Sequence, residues 1–159
     1  MAQKITTFLW FDDQAEQAAE FYVSVFRNGR ITGLQRYGEA GPGEAGSVML
    51  VSFELFGQEF RALNGGPEFR FNEAVSLQVD CDDQAEVDRY WELLTADGGA
   101  PGPCGWLKDR YGLSWQIVPK RMIELLADPD PERAARATKA MLTMGKLDVA
   151  ALEAAADGR

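Results

Sequence analysis

The sequence predicts an α+β fold built from two βαβββ modules followed by C-terminal helices. Three observations carry this expectation. The string DDQAE occurs at Asp12–Glu16 and again 70 residues on, at Asp82–Glu86. Each copy comes after an apolar run (ITTFLWF, then AVSLQV) and opens an amphipathic run. Beyond each amphipathic run, turn residues divide the chain into short β-rich stretches. The 159 residues are expected to form a single domain, with modules at 4–66 and 74–119 and a helical tail at 120–159.

In the first module, residues 4–11 read as a strand. Asp13 is placed as an N-cap, with Glu16 three residues on in capping-box position. Ala15, Ala18, Ala19, Tyr22, Val25 and Phe26 recur at helical spacing and predict a helix over 14–27, stopped by Asn28-Gly29. Strands are expected at 31–37, 48–56 and 60–64, with a loop at 38–47 and a tight turn at Gly57-Gln58.

The second module repeats the pattern less fully. Residues 74–80 form its first strand. Asp83 and Glu86 restate the capping box of a helix that carries Val87, Tyr90, Trp91 and Leu94 and ends near Gly98. Pro101 and Pro103 leave little room for a regular second strand. Residues 106–108 and 113–118 pair across Asp109–Gly112. In the tail, Met122, Ile123, Leu125 and Leu126 predict a short helix. Asp130-Pro131 opens a helix that Gly145 ends, and Asp148 caps a last helix with Leu147 and Leu152 as its staple. The tail packs either on its own domain or at a dimer interface.

Composition limits the chemistry. Asp plus Glu number 25 against 16 Lys plus Arg, a formal charge of −9. That balance disfavours nucleic acid or an anionic membrane as partner. No 18-residue apolar window predicts a membrane span, and the N-terminal segment lacks a secretory pattern. Cys81 and Cys104 form no CxxC motif and read as reduced thiols in a cytoplasmic protein. Histidine is absent. That excludes Ser-His-Asp and Cys-His catalysis, HExxH zinc sites and the two-His-one-carboxylate iron site. Gly41-Pro-Gly-Glu-Ala-Gly46 satisfies GxGxxG, yet a polar stretch precedes it and a strand comes after it. No cofactor is therefore expected there.

Strand alternation places Thr7, Leu9 and Phe11 on one face, Asn64 with Phe60 and Ala62, Ser76 with Gln78, and Ser114 with Gln116. Thr7, Asn64, Ser76, Gln78, Ser114 and Gln116 are candidates to converge on a small-molecule ligand beside aromatic walls that include Trp106. The alternative is that these groups satisfy one another or water inside a filled sheet. Lys108 either reaches an anion or is simply solvated. Cys104 reads as a bystander thiol and Cys81 as structural.

The strings FLWFDDQAEQAAEFYVSVF, FRALNGGPEFRFNEAVSLQVDC, CGWLKDRYGLSWQIVP and AMLTMGKLDVAALEAA resemble the vicinal oxygen chelate superfamily, which includes glyoxalase I and bleomycin-resistance proteins. Within it they resemble the PhnB-like group, often labelled 3-demethylubiquinone-9 3-methyltransferase. The resemblance implies paired βαβββ modules forming an open cup-shaped, glyoxalase-like sheet, in a homodimer. Metal-dependent members bind a divalent ion through four inward side chains. Carried over by motif, those slots fall on Thr7, Ala62, Ala74 and Gln116. Two alanines and two neutral side chains do not make a divalent site, so no metal is expected. The expectation is a metal-free protein that binds a small organic molecule. A metal-dependent lyase, isomerase or dioxygenase of the same fold is the alternative, and the labelled methyl transfer a further one.

Overall fold

The repeat in sequence is a repeat in topology. A computed structural model describes residues 3–159. The first unit ends at Phe71; the second runs Asn72–Arg159. The first unit contains β1 (Thr7–Phe11), α1 (Ala15–Phe26), β2 (Gly29–Arg36), β3 (Val48–Leu55) and β4 (Gln58–Asn64). Its sheet has the order β1-β4-β3-β2, with β1 parallel to β4 and the other pairs antiparallel. The second unit contains β5 (Ser76–Cys81), α2 (Gln84–Thr95), β6 (Ala100–Pro101), β7 (Trp106–Lys108) and β8 (Ser114–Pro119). Its order β5-β8-β7-β6 is the same pattern, again with the first and last strands parallel. Then come α3 (Lys120–Leu126), α4 (Pro131–Met141) and α5 (Val149–Ala156).

In the first unit α1 covers one sheet face. Ala15, Ala18 and Ala19 are fully buried, and their small side chains let the helix lie close to the strands. Tyr22 packs on Phe53 of β3, with ring centroids 6.1 Å apart. Phe53 stacks on Phe60 of β4 at 5.4 Å. Leu9, Phe11, Val51 and Ala62 complete this buried face.

The two DDQAE copies start their helices differently. In the second, Asp83 Oδ1 accepts from the Glu86 N–H at 2.9 Å, and Glu86 Oε2 accepts from the Asp82 N–H at 2.8 Å. This is the expected reciprocal cap, displaced by one residue at its second bond. In the first copy Asp13 is not the cap. Gln14 occupies the N-cap position without a side-chain bond, and Asn64 Oδ1 of β4 accepts from the Ala15 N–H at 2.8 Å. The reason lies in register. Asn64 pairs with Phe11 of β1, whereas the matching partner of Cys81 is Pro119, which has no side-chain amide to lend.

Other boundaries moved for identifiable reasons. β1 begins at Thr7, the first residue with a partner on β4. Arg27, not Asn28-Gly29, takes the left-handed conformation that ends α1. The β3–β4 turn centres on Phe56 and Gly57, both at positive φ (48° and 80°), as a primed hairpin turn demands. α2 ends at Thr95 rather than near Gly98. The second strand of the second module survives as two residues, Ala100–Pro101. α4 ends at Met141, before Gly145.

The tail packs within the second unit, the first of the two placements its apolar faces allow. Val118, Met122, Leu125, Ala137, Leu147, Leu152 and Ala156 form one buried cluster, with Leu147 and Leu152 placed as the staple requires. Gln84 of α2 clasps the α5 start. Its Nε2 donates to the Leu147 carbonyl at 3.0 Å, and its Oε1 accepts from the Val149 N–H at 2.8 Å. Among the described residues no helix is long and apolar enough to cross a membrane.

Candidate ligand site on the second sheet

The register of the second sheet sets which side chains meet. Ser76 lies opposite Ser114, Gln78 opposite Gln116, Trp106 opposite Gln116 and Lys108 opposite Ser114. Directly opposed residues share a face, so all six stand on one side. Leu77, Val79, Leu107, Trp115 and Ile117 stand on the other, the side packed by Val87, Tyr90 and Leu94 of α2. The polar residues therefore occupy the face that the helix leaves uncovered, as strand alternation predicted.

Their hydrogen bonds differ. Gln116 Nε2 donates to Ser76 Oγ at 2.9 Å, across the parallel strand pair. Gln78 is exposed and donates to Asp80 Oδ1 at 2.7 Å. Ser114 is 1% exposed, and its hydroxyl has no hydrogen-bond partner among the described residues. A buried hydroxyl left unpaired costs about 1–3 kcal/mol, so it stands out on this face.

Ser114 lines a cleft of about 590 Å³. Trp106 and Lys108 of β7, Cys104 of the preceding loop, and Glu73 also line it. Lys108 and Glu73 form an ion pair at the rim, both partners roughly half exposed. The hydrogen bond from Lys108, then the Glu73 backbone and the ammonium charge, hold the Glu73 carboxyl below its ordinary range. An exposed pair of this kind is held weakly and exchanges partners readily.

The hairpin that carries Lys108 and Ser114 is organised by Asp109, which the sequence alone marks only as a turn position. Asp109 is 2% exposed. Its Oδ1 accepts from the Tyr111 and Leu113 N–H groups at 2.8 and 3.1 Å, and its Oδ2 from Trp115 Nε1 at 2.9 Å. Aspartate at the first position of a turn signals the local bonds. The indole bond depends on tertiary placement.

The candidates of the first module are placed differently. Thr7 lies opposite Phe60, on the face that α1 covers, so it does not join an open face. Asn64 is occupied by the fold. Besides capping α1, its Nδ2 donates to the Val48 carbonyl at 3.1 Å, and its own carbonyl accepts from the Tyr37 hydroxyl at 2.5 Å. It borders a second cleft, of about 630 Å³, whose rim carries Asp12, Asp13, Glu16 and Glu20. The uncovered face of this sheet presents Phe8, 54% exposed, with the Arg61 guanidinium 5.7 Å above its ring.

Two of the four positions that the resemblance implies for a metal, Thr7 and Ala62, do not face the open side of their sheet. Ala62 is fully buried on the helix-covered face with Thr7, and alanine offers no donor atom. Among the described residues no group of three or more His, Cys, Asp or Glu side chains is arranged to hold an ion. The GxGxxG segment leads into β3, not a helix, so it supplies no helix N-terminus for phosphate. Its glycines instead make room for Tyr37: a Cβ at Gly43 would lie 2.4 Å from that ring, and one at Gly41 2.9 Å.

Comparison with known proteins places this architecture. The family model described as 3-demethylubiquinone-9 3-methyltransferase matches residues 3–118. Among solved structures, the PhnB protein from Bacillus cereus is 40% identical, with a TM-score of 0.65, and the match covers 74% of this chain and 99% of that one. Protein PA1353 from Pseudomonas aeruginosa shares the fold at 19% identity and a TM-score of 0.61, over 74% of this chain and 98% of that one. The fosfomycin resistance protein FosX from Mesorhizobium loti shares it at 16% identity and a TM-score of 0.54, over 86% and 99% respectively. No curated protein matches the chain. The α+β fold is glyoxalase-like, and the chain belongs to the PhnB-like, 3-demethylubiquinone-9 3-methyltransferase family of the vicinal oxygen chelate superfamily.

Proposed function

We propose that this protein binds a small organic anion on the open face of its second sheet, without a metal ion. The observation that carries the reading is the unpartnered, buried hydroxyl of Ser114, a residue that lines the cleft. Its neighbours supply the rest of a recognition site. Trp106 offers an apolar wall, and Lys108 offers a cation whose present partner, Glu73, is exposed and replaceable. The Gln116 amide, bonded to Ser76, stands on the same sheet face next to Ser114 and Trp106 but does not line the cleft itself. Pockets of this composition, apolar walls with a few convergent polar groups, suit small ligands.

Methyl transfer, the activity in the family's description, gains no support from the residues. The Gly-rich loop lacks the strand-to-helix context a nucleotide-type methyl donor uses. A metal-dependent reaction gains none either, because among the described residues no group of three or more His, Cys, Asp or Glu side chains is arranged to hold an ion. A homodimer is part of the proposal on family grounds, and sedimentation is expected near twice 17.6 kDa. The cleft is tested by titrating benzoate while following indole N–H resonances. The Trp106 signal should shift saturably, and Lys108→Ala should raise the half-saturating concentration about fivefold, the weight of one net hydrogen bond. An unmoved Trp106 signal would end the proposal.

A further inference from the structure

We propose that Cys104 is a thiol–disulfide exchange site for small disulfides that carry a carboxylate. This rests on the reading of the cleft given above and extends it from binding to covalent capture. Cys104 lines the same cleft as Ser114, Trp106 and Lys108. It is a free thiol of intermediate burial, whereas the other cysteine, Cys81, is fully buried at the end of β5.

The backbone holds Cys104 in place. Its φ is 55°, a left-handed conformation that favours glycine or asparagine over a residue with a thiol. Its N–H donates to the Met144 carbonyl at 2.8 Å, and the next N–H, of Gly105, donates to the Gly145 carbonyl at 2.8 Å. The Trp106 N–H closes the loop onto the Pro103 carbonyl at 3.0 Å. A side chain is thus kept at a strained position, beside a cleft that also holds an unsatisfied buried hydroxyl. Lys108 would take the carboxylate of an incoming disulfide in exchange for Glu73, and the Trp106 indole would take its apolar body.

The chemistry balances without a further oxidant. The Cys104 thiol gives its proton to solvent, and its sulfur attacks one sulfur of the bound disulfide. The ligand's S–S bond breaks as the new one forms. The displaced thiolate leaves with the electron pair and takes up a proton. One disulfide is consumed and one mixed disulfide formed, and a small thiol reverses it.

The test uses dithiobis(nitrobenzoate), a disulfide of two carboxylated rings, on the full native chain. Release of one nitrothiobenzoate per chain is expected, with a rate that saturates in reagent. Cys104→Ser should abolish it and Cys81→Ala should not. Lys108→Gln should raise the half-saturating concentration about fivefold. Added benzoate should protect the thiol, a check that needs no variant. No release, release from Cys81, or a rate linear in reagent and indifferent to benzoate would each overturn the proposal. If benzoate moves the Trp106 resonance while Cys104 stays unreactive, the exchange site falls and the binding site stands.

Discussion

Replacing Asp109 by asparagine should be among the most costly single-atom changes in the second unit. The carboxylate accepts three N–H groups inside the β7–β8 hairpin: two backbone amides at 2.8 and 3.1 Å and the Trp115 indole at 2.9 Å. With the amide oxygen kept toward the two backbone donors, the new NH2 group faces the indole N–H. Two donors then meet in a buried site. One orphaned donor costs about 1–3 kcal/mol. The two remaining bonds also lose the strength an ionised acceptor gives them. The result is a loss of about 2 kcal/mol, or about 4–8 °C in Tm for a chain of this length. Asp109→Ala orphans all three donors and should cost about 3–5 kcal/mol. Urea unfolding followed by tryptophan fluorescence measures both, and the Trp115 indole resonance reports the broken bond directly. A loss below about 0.5 kcal/mol for the asparagine variant would refute the assignment of Asp109 as the hairpin's organiser.

Asn64→Ala should destabilise the first unit by about 1–3 kcal/mol by uncapping α1 and freeing the Val48 carbonyl, as read by denaturant unfolding. Gln84→Ala removes both side-chain bonds of the clasp on α5; a cost of about 1–2 kcal/mol and faster hydrogen exchange in residues 147–152 are expected. Burial, and then the surrounding carboxylates, push the Cys81 thiol from 9.0 up to about 12. The thiol stays neutral in the folded chain while the unfolded chain ionises, so its contribution is intact below pH 9 and is lost as pH rises toward 12. The decline is about 1.4 kcal/mol per pH unit in that window, and Cys81→Ala should flatten it in stability-against-pH measurements.

Much of this was legible from residues alone; apart from helix and turn boundaries that moved by a few residues, the exceptions share a cause. The repeat, strand alternation in β5 and β8, and the caps at Asp83, Asp130 and Asp148 are local signals, and each formed as read. The failures involve residues far apart in sequence. The Asp13 box has the same letters as the Asp83 box, yet Asn64, 51 positions away, replaces it because β4 brings an amide to the helix start. Thr7 alternates correctly along its strand. Which face α1 would cover was settled by Tyr22 on Phe53, a contact that no local pattern announces. Ser76, Gln78, Ser114, Gln116 and Trp106 share one sheet face, because that grouping needed only register and alternation, but of the five only Ser114 and Trp106 line the cleft. The weight of Ser114 was invisible, since lacking a partner is a property of the folded surroundings.

The central claim turns on that hydroxyl, and one set of thermal melts tests it: wild type and Ser114→Ala, each with and without benzoate. If the hydroxyl is held for a ligand, Ser114→Ala without benzoate melts at or above wild type, because an unsatisfied buried group is gone. Benzoate should then raise the wild-type Tm and raise that of the variant by clearly less. A variant that melts lower than wild type, with benzoate moving both equally or neither, would mean the hydroxyl serves the fold and the cleft binds nothing of this kind.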